Sequence, residues 1–317
     1  MSTPRHDDRC TGTLLGTACG DILGAAVEGW PAEAIRAEYG RLADFVETDR
    51  GAGCYTDDTQ MTLALAESLI EEGDIDATQA AAKYAQRFQP WRGYGTAAQA
   101  VMQALRRGVD PHETGRMQFP GGSFGNGGAM RIAPIGLAFR HADNSAMYQA
   151  VQAALLCTHV HPEAVDGAFV QAKAVALAAA SGTEDFDLAA LPGRLASTTT
   201  PGTMRDHLER LGELLAQGNA EQEVVARLGN GVRTREAVAA ALWCFVRFGR
   251  DPEECIVRAV ALGGDTDTIG ALTGALAGAL HGAAWIPSRW LERMENGPFG
   301  RDAIASLGRR LAALDLR

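Results

Sequence analysis

Two stretches of this chain carry glycine at every fourth position: Gly12, Gly16, Gly20 and Gly24 near one end, and Gly270, Gly274, Gly278 and Gly282 near the other. Residues four apart lie on one face of an α-helix. Read as helices over about 11–25 and 267–284, both stretches present a face without side chains. Glycine inside a helix costs roughly 1 kcal/mol relative to alanine, so a bare face needs a neighbour whose backbone comes close enough to repay it. The spacing predicts that both helices lie deep in the core, with packing against each other as one arrangement; plain Gly/Ala-rich composition is the alternative. Small residues at this spacing also occur in membrane helices, and Ile269 to Pro287 is apolar apart from Thr273 and His281. That run is mostly alanine and glycine and directly follows two aspartates, so a buried helix of a protein without membrane spans is expected.

Helical periodicity continues through most of the chain. Met61–Ile70 and the segments 78–88, 96–107, 146–156, 163–180, 204–217, 221–227, 234–248, 252–261 and 300–314 place apolar residues at helical spacing, and no alternating β-branched run or strand-turn-strand signal stands out. The expected fold class is all-α. Ser197 to Gly202 reads as a surface loop, and no segment reads as a linker, so one domain over 1–317 is expected. A net charge of −10 and a pI of about 5.2 argue against a general nucleic-acid surface. The six cysteines form no CxxC pair, and the N-terminus lacks an apolar signal core; buried reduced thiols in a cytoplasmic protein are expected.

Chemistry concentrates in two acidic tetrapeptides, Thr56-Asp57-Asp58-Thr59 and Asp265-Thr266-Asp267-Thr268, each running into a helical pattern. Carboxylates and hydroxyls are hard oxygen ligands suited to Mg²⁺, Mn²⁺ or Ca²⁺. If the fold joins the segments, four carboxylates share one site and repel one another unless cations stand between them. A third feature is the loop Pro120-Gly-Gly-Ser-Phe-Gly-Asn-Gly-Gly128, whose backbone N–H groups suit a diphosphate.

Gly20-Asp21-Ile-Leu-Gly24-Ala-Ala-Val-Glu28, Tyr55 to Thr59, Gly122 to Arg131 and Gly263 to Gly270, in that order, resemble the ADP-ribosylglycohydrolase family. Thr158-His159, Leu228-Gly-Asn-Gly231 and Ala284-Trp-Ile-Pro287 fit as well, so the resemblance runs from about residue 11 to Trp290. It implies a compact orthogonal helical bundle with a binuclear metal cleft, two Mg²⁺ or Mn²⁺ ions, and hydrolysis of the bond joining the ribose of ADP-ribose to an acceptor. Thr56, Asp57, Asp58, Asp265, Asp267 and Thr268 match the metal segments. Glu28 matches a glutamate of serine-type relatives that takes part in catalysis and metal access, and Glu28, Asp57, Asp58 and Asp267 are the catalytic candidates. Gly122, Ser123, Phe124, Gly125, Asn126, Phe119 and His159 are the expected substrate contacts, Phe124 and Phe119 as faces for adenine.

Each assignment has a plainer counterpart. The carboxylates are candidate helix caps, Glu28 a solvated loop residue, Phe124 a core aromatic, and Arg131 either an anion contact or a salt-bridge partner. Asp21 reads as a brace behind the site and His161 as local structure. Met130 and Arg131 are expected to open the next helix. The aromatics of Trp91-Arg92-Gly93-Tyr94-Gly95-Thr96 shape the acceptor side or simply pack. The acceptor is an arginine or serine of a protein or a small ADP-ribosyl compound, and a monomer is expected. The alternatives are a non-catalytic ADP-ribose-binding or structural protein on the same fold and, more distantly, a metal-dependent phosphoesterase.

Overall fold

The computed structural model describes residues 4–317. Seventeen α-helices and two short 3-10 turns make up the described residues, with two isolated β-bridges and no strand. All-α is therefore the fold class. The two glycine-faced helices, His6–Gly24 and Thr266–His281, form the centre and pack on each other antiparallel. Gly16 faces Gly274, Gly20 faces Gly270, and Gly12 meets Gly278 and Gly282. A Cβ at Gly12, Gly16, Gly20, Gly270, Gly274 or Gly278 would fall inside the van der Waals envelope of the opposing backbone, and one at Gly282 would strike the Asp8 side chain. The seam excludes every other residue type, which is why the glycines recur.

The central pair also fixes both acidic segments. At the C-terminal end of the first helix, Gly24 touches the backbone of Thr266, and the Thr266 hydroxyl donates to the Gly24 carbonyl at 2.9 Å. One turn earlier, the buried Asp21 carboxylate accepts the backbone N–H groups of Thr56 and Thr59, each at 3.0 Å, and the Thr59 hydroxyl. One helix thus holds the start of Asp57–Glu72 through Asp21 and the start of Thr266–His281 through Gly24.

Most expected helices appear within a few residues of their expected ends; the last, expected over 300–314, is Arg301–Leu311. Four short helices lie outside the expected set: Ala32–Tyr39, Pro111–Thr114, Leu191–Thr198 and Ser288–Arg293. Met130 and Arg131 do not open a helix. They lie in a turn, and the helix begins at Ala133. Pro134 explains the delay: inside a helix begun at Met130 its ring would meet the carbonyl four residues back. The expected loop at Ser197 to Gly202 is shorter than read, since Ser197 and Thr198 end Leu191–Thr198 and Thr199 is buried. All six cysteines are free, five buried and Cys54 half-buried. No helix among the described residues is long and apolar enough to cross a membrane.

Candidate active site

Both acidic segments open onto one cavity of about 400 Å³, within the size range of small-molecule sites. Asp57, Asp58, Asp265, Asp267 and Thr268 line one wall, together with Glu28. Thr56 lies beneath this wall, almost fully buried. Its side chain caps the Asp57–Glu72 helix by accepting the Asp58 N–H and shares a 3.4 Å contact with the Asp58 carboxylate. Asp265 occupies the cap position of Thr266–His281 without capping it. Its carboxylate instead takes a hydrogen bond from the Asn126 side-chain amide. Capping therefore does not account for Asp265.

Glu28 reaches the wall because its loop is tied to the second acidic segment. Gly29 donates to the Gly264 carbonyl at 2.7 Å, and Gly264 donates to the Trp30 carbonyl at 2.9 Å. Glu28 is exposed at the mouth, yet its carboxylate and those of Asp265 and Asp267 bring oxygens within 4.8 Å of one another. Such crowding raises the cost of ionisation. Burial, then the charge of Asp21, pushes Asp57 up to about 7. Burial and neighbouring carboxylates raise Asp58 and Asp267 well above the usual carboxylate range, and Glu28 is raised by burial and by Asp265. The Thr268 side chain opposes the rise of Asp58, and Asp58 in turn raises Asp267, so the two segments act on each other at short range.

The donor set fits a divalent cation. Oδ1 of Asp58 is buried without a hydrogen-bond partner, and the clustered oxygens are all hard ligands. A stranded acceptor and mutually repelling carboxylates are what a bound cation would satisfy.

The glycine-rich loop lines the same cavity through Ser123, Gly125, Asn126 and Gly127, and Asn126 joins it to Asp265. It is held by the segment after Leu228. Asn126 donates to the Val232 carbonyl at 2.9 Å, Thr234 to the Phe124 carbonyl at 3.1 Å, and Asp265 to the Asn230 carbonyl at 2.8 Å. The backbone N–H groups of Ser123, Phe124 and Gly127 take no acceptor among the described residues. Gly122, at φ +84°, lies against Val160 and His161, where a side chain would collide with backbone; it shapes the loop without lining the cavity. Phe119 is exposed and does line it. Phe124 is 45% exposed, which removes the core reading, but it stands at the rim, edge-on to His161 and under Arg233, outside the cavity lining.

His159 lines the cavity with its ring against Gly127. Burial, then Arg131, pushes its pKa down to about 3, so it is neutral, and its Nδ1 has no partner. His161 caps Pro162–Ala180, the local role expected of it. Arg131 lines the cavity but makes no salt bridge among the described residues, which removes that reading. In the 91–96 loop, Tyr94 is core and Trp91 is exposed outside the cavity, while Gly93, Gly95 and Thr96 line it. Met61, Ala97, Val101 and Val232 also line the cavity and were not anticipated. The first three read as ordinary apolar positions of helices; Val232, 67% exposed beside Leu228-Gly-Asn-Gly231, carried only the weak signal of its neighbours.

The family described as ADP-ribosylglycohydrolase matches residues 2–317. ADP-ribosylhydrolase ARH3 of Bos taurus is 34% identical over 334 residues, covering 92% of this chain and 90% of that protein. ADP-ribosylhydrolase ARH3 of Homo sapiens is 35% identical over 332 residues, with 92% and 90% covered. A solved structure described as an ADP-ribosylglycohydrolase-related protein complex superposes with a TM-score of 0.75 at 30% identity, covering 98% of this chain and 99% of that one. The chain belongs to the ADP-ribosylglycohydrolase family and is an enzyme of the glycoside-hydrolase type that acts on ADP-ribosyl bonds.

Proposed function

We propose that the protein hydrolyses the glycosidic bond between ADP-ribose and an acceptor on a protein, an arginine or a serine, using two divalent cations, Mg²⁺ or Mn²⁺. The observation that carries this reading is the meeting of both acidic segments in one cavity that the glycine-rich loop also lines. Thr56, Asp57, Asp58, Asp265, Asp267 and Thr268 would hold the cations. When bound, these supply positive charge for the ribose hydroxyls and for an attacking water.

The chain's own residues then divide the work. The free N–H groups of Ser123, Phe124 and Gly127 would bind the diphosphate. Phe119 and Phe124 offer ring faces at the adenine end, and neutral His159 offers a polar edge without adding charge. In hydrolysis, water oxygen joins the anomeric carbon, the bond to the acceptor breaks, and the acceptor atom takes a proton. The transition state resembles an oxocarbenium ion, which nearby carboxylates favour. Glu28 stands at the mouth, where the acceptor leaves, and suits the exchange of a proton with the acceptor atom or with water. Asp57, Asp58 and Asp267 face the ribose side.

The test is ADP-ribose release from matched arginine-linked and serine-linked ADP-ribosyl peptides, with Mg²⁺, Mn²⁺ or excess chelator. Metal-dependent release from one peptide is the expected result and names the acceptor. Undiminished release in chelator would refute the metal-dependent mechanism. Release from neither peptide would refute both acceptors.

A further inference from the structure

Arg131 is 1% exposed, yet no carboxylate among the described residues pairs with it. The other two buried arginines among the described residues are compensated. Arg92 pairs with Glu295 at 2.8 Å, and Arg9 takes the carbonyls of Ala178, Ala279 and Ser181 at the ends of two helices, where the dipole is negative. Arg131 has one carbonyl, Gly127 at 3.0 Å, the Thr158 hydroxyl, the Met61 sulfur at 3.6 Å and the Tyr84 ring face at 4.6 Å. Its Nε has no partner. A buried charge left this far short of compensation costs several kcal/mol, and Arg131 lines the cavity directly beneath the loop whose N–H groups stand free.

We propose that Arg131 is a positioning residue whose buried charge favours the diphosphate of an ADP-ribosyl substrate from beneath the glycine-rich loop, while its fork ties Gly127 to Thr158. The inference rests on the ADP-ribosyl reading above. The charge acts through a short, poorly screened path; the two hydrogen bonds hold the loop to the turn that carries His159. It predicts a preference for the dianionic ligand over its neutral nucleoside that disappears with the charge.

The experiment uses the full chain with Mg²⁺ and compares the parent with Arg131→Gln, Arg131→Met and Arg131→Lys. Dissociation constants are measured for ADP-ribose and adenosine, alongside thermal melting. The Gln and Met variants should weaken ADP-ribose by about tenfold or more and leave adenosine within about twofold, and Lys should recover much of the loss. Equal losses for both ligands would mean a structural role and overturn the proposal, as would unchanged ADP-ribose affinity. If the Met variant fails to fold, the Gln variant, which removes the charge but leaves a polar amide in the buried site, carries the same comparison. Failure of the parent to bind ADP-ribose would refute the ADP-ribosyl reading itself, whereas binding by the parent that Arg131→Gln leaves unchanged refutes this inference alone.

Discussion

Asp21 shows how one residue can decide the geometry of a site that it does not line. It sits in the central glycine-faced helix, fully buried, and every group within its reach is a donor: the N–H of Thr56, the N–H of Thr59 and the Thr59 hydroxyl. Asparagine in its place would keep the volume but turn an amide NH₂ toward one of those donors. A buried donor left unpaired costs about 1–3 kcal/mol. Asp21→Asn should therefore lower the melting temperature and, because Asp57 and Asp58 hang from the same turn, weaken Mn²⁺ binding. Calorimetric titration with Mn²⁺ and thermal melting check both. A variant that melts and binds like the parent would show that the helix start at Thr56 holds itself.

Among the elements, the glycine seam and the open glycines make opposite predictions. At Gly274 a Cβ would strike the Gly16 carbonyl, and because both partners are central helices neither can yield without moving an acidic segment. Gly274→Ala should cost several kcal/mol or prevent folding, as overpacking against backbone does. Gly212, inside Thr203–Gln217, has nothing near its missing Cβ. Gly212→Ala should stabilise by roughly 0.5–1 kcal/mol. Urea unfolding of both separates them, and a tolerated Gly274→Ala would mean that the seam has slack. The seam was legible because its period is long and regular. The four helices with no sequence signal have eight residues or fewer, too few turns for a 3.6-residue period to declare itself. Likewise, the acidic segments were legible from composition, but the outward turn of Phe124 was not, because His161 and Arg233 hold it from elsewhere in the chain.

For the whole molecule, the acidic wall couples folding to protons and metal. A carboxyl with a higher pKa folded than unfolded makes the folded state bind more protons, so its stabilising effect is fully present below the unfolded pKa and is lost as pH rises through the folded value. Asp57 moves from 3.8 to about 7, and Asp58, Asp267 and Glu28 move the same way. In chelator these four groups therefore withdraw stability between roughly pH 4 and pH 7, whereas His6 and His159, whose pKa values burial lowers to about 4 and about 3, add stability as pH rises toward 6.5. Carboxylates lowered by ion pairs, such as Glu254 beside Arg41 and Arg258, act mostly below that window, so the parent's curve is set by the acidic wall against the buried histidines, and removing one wall carboxylate isolates the wall. Saturating Mg²⁺ or Mn²⁺ competes with the protons and should reverse the trend, since a ligand bound only by the folded state adds stability that grows as its site deprotonates. Melting temperatures measured from pH 4.5 to pH 8, with chelator and with metal, should diverge as pH rises, and in chelator Asp57→Asn should gain stability relative to the parent as pH rises through 7. Chelator curves of the parent and of Asp57→Asn that run parallel across that range would mean that the four carboxylates do not share one charge-limited site.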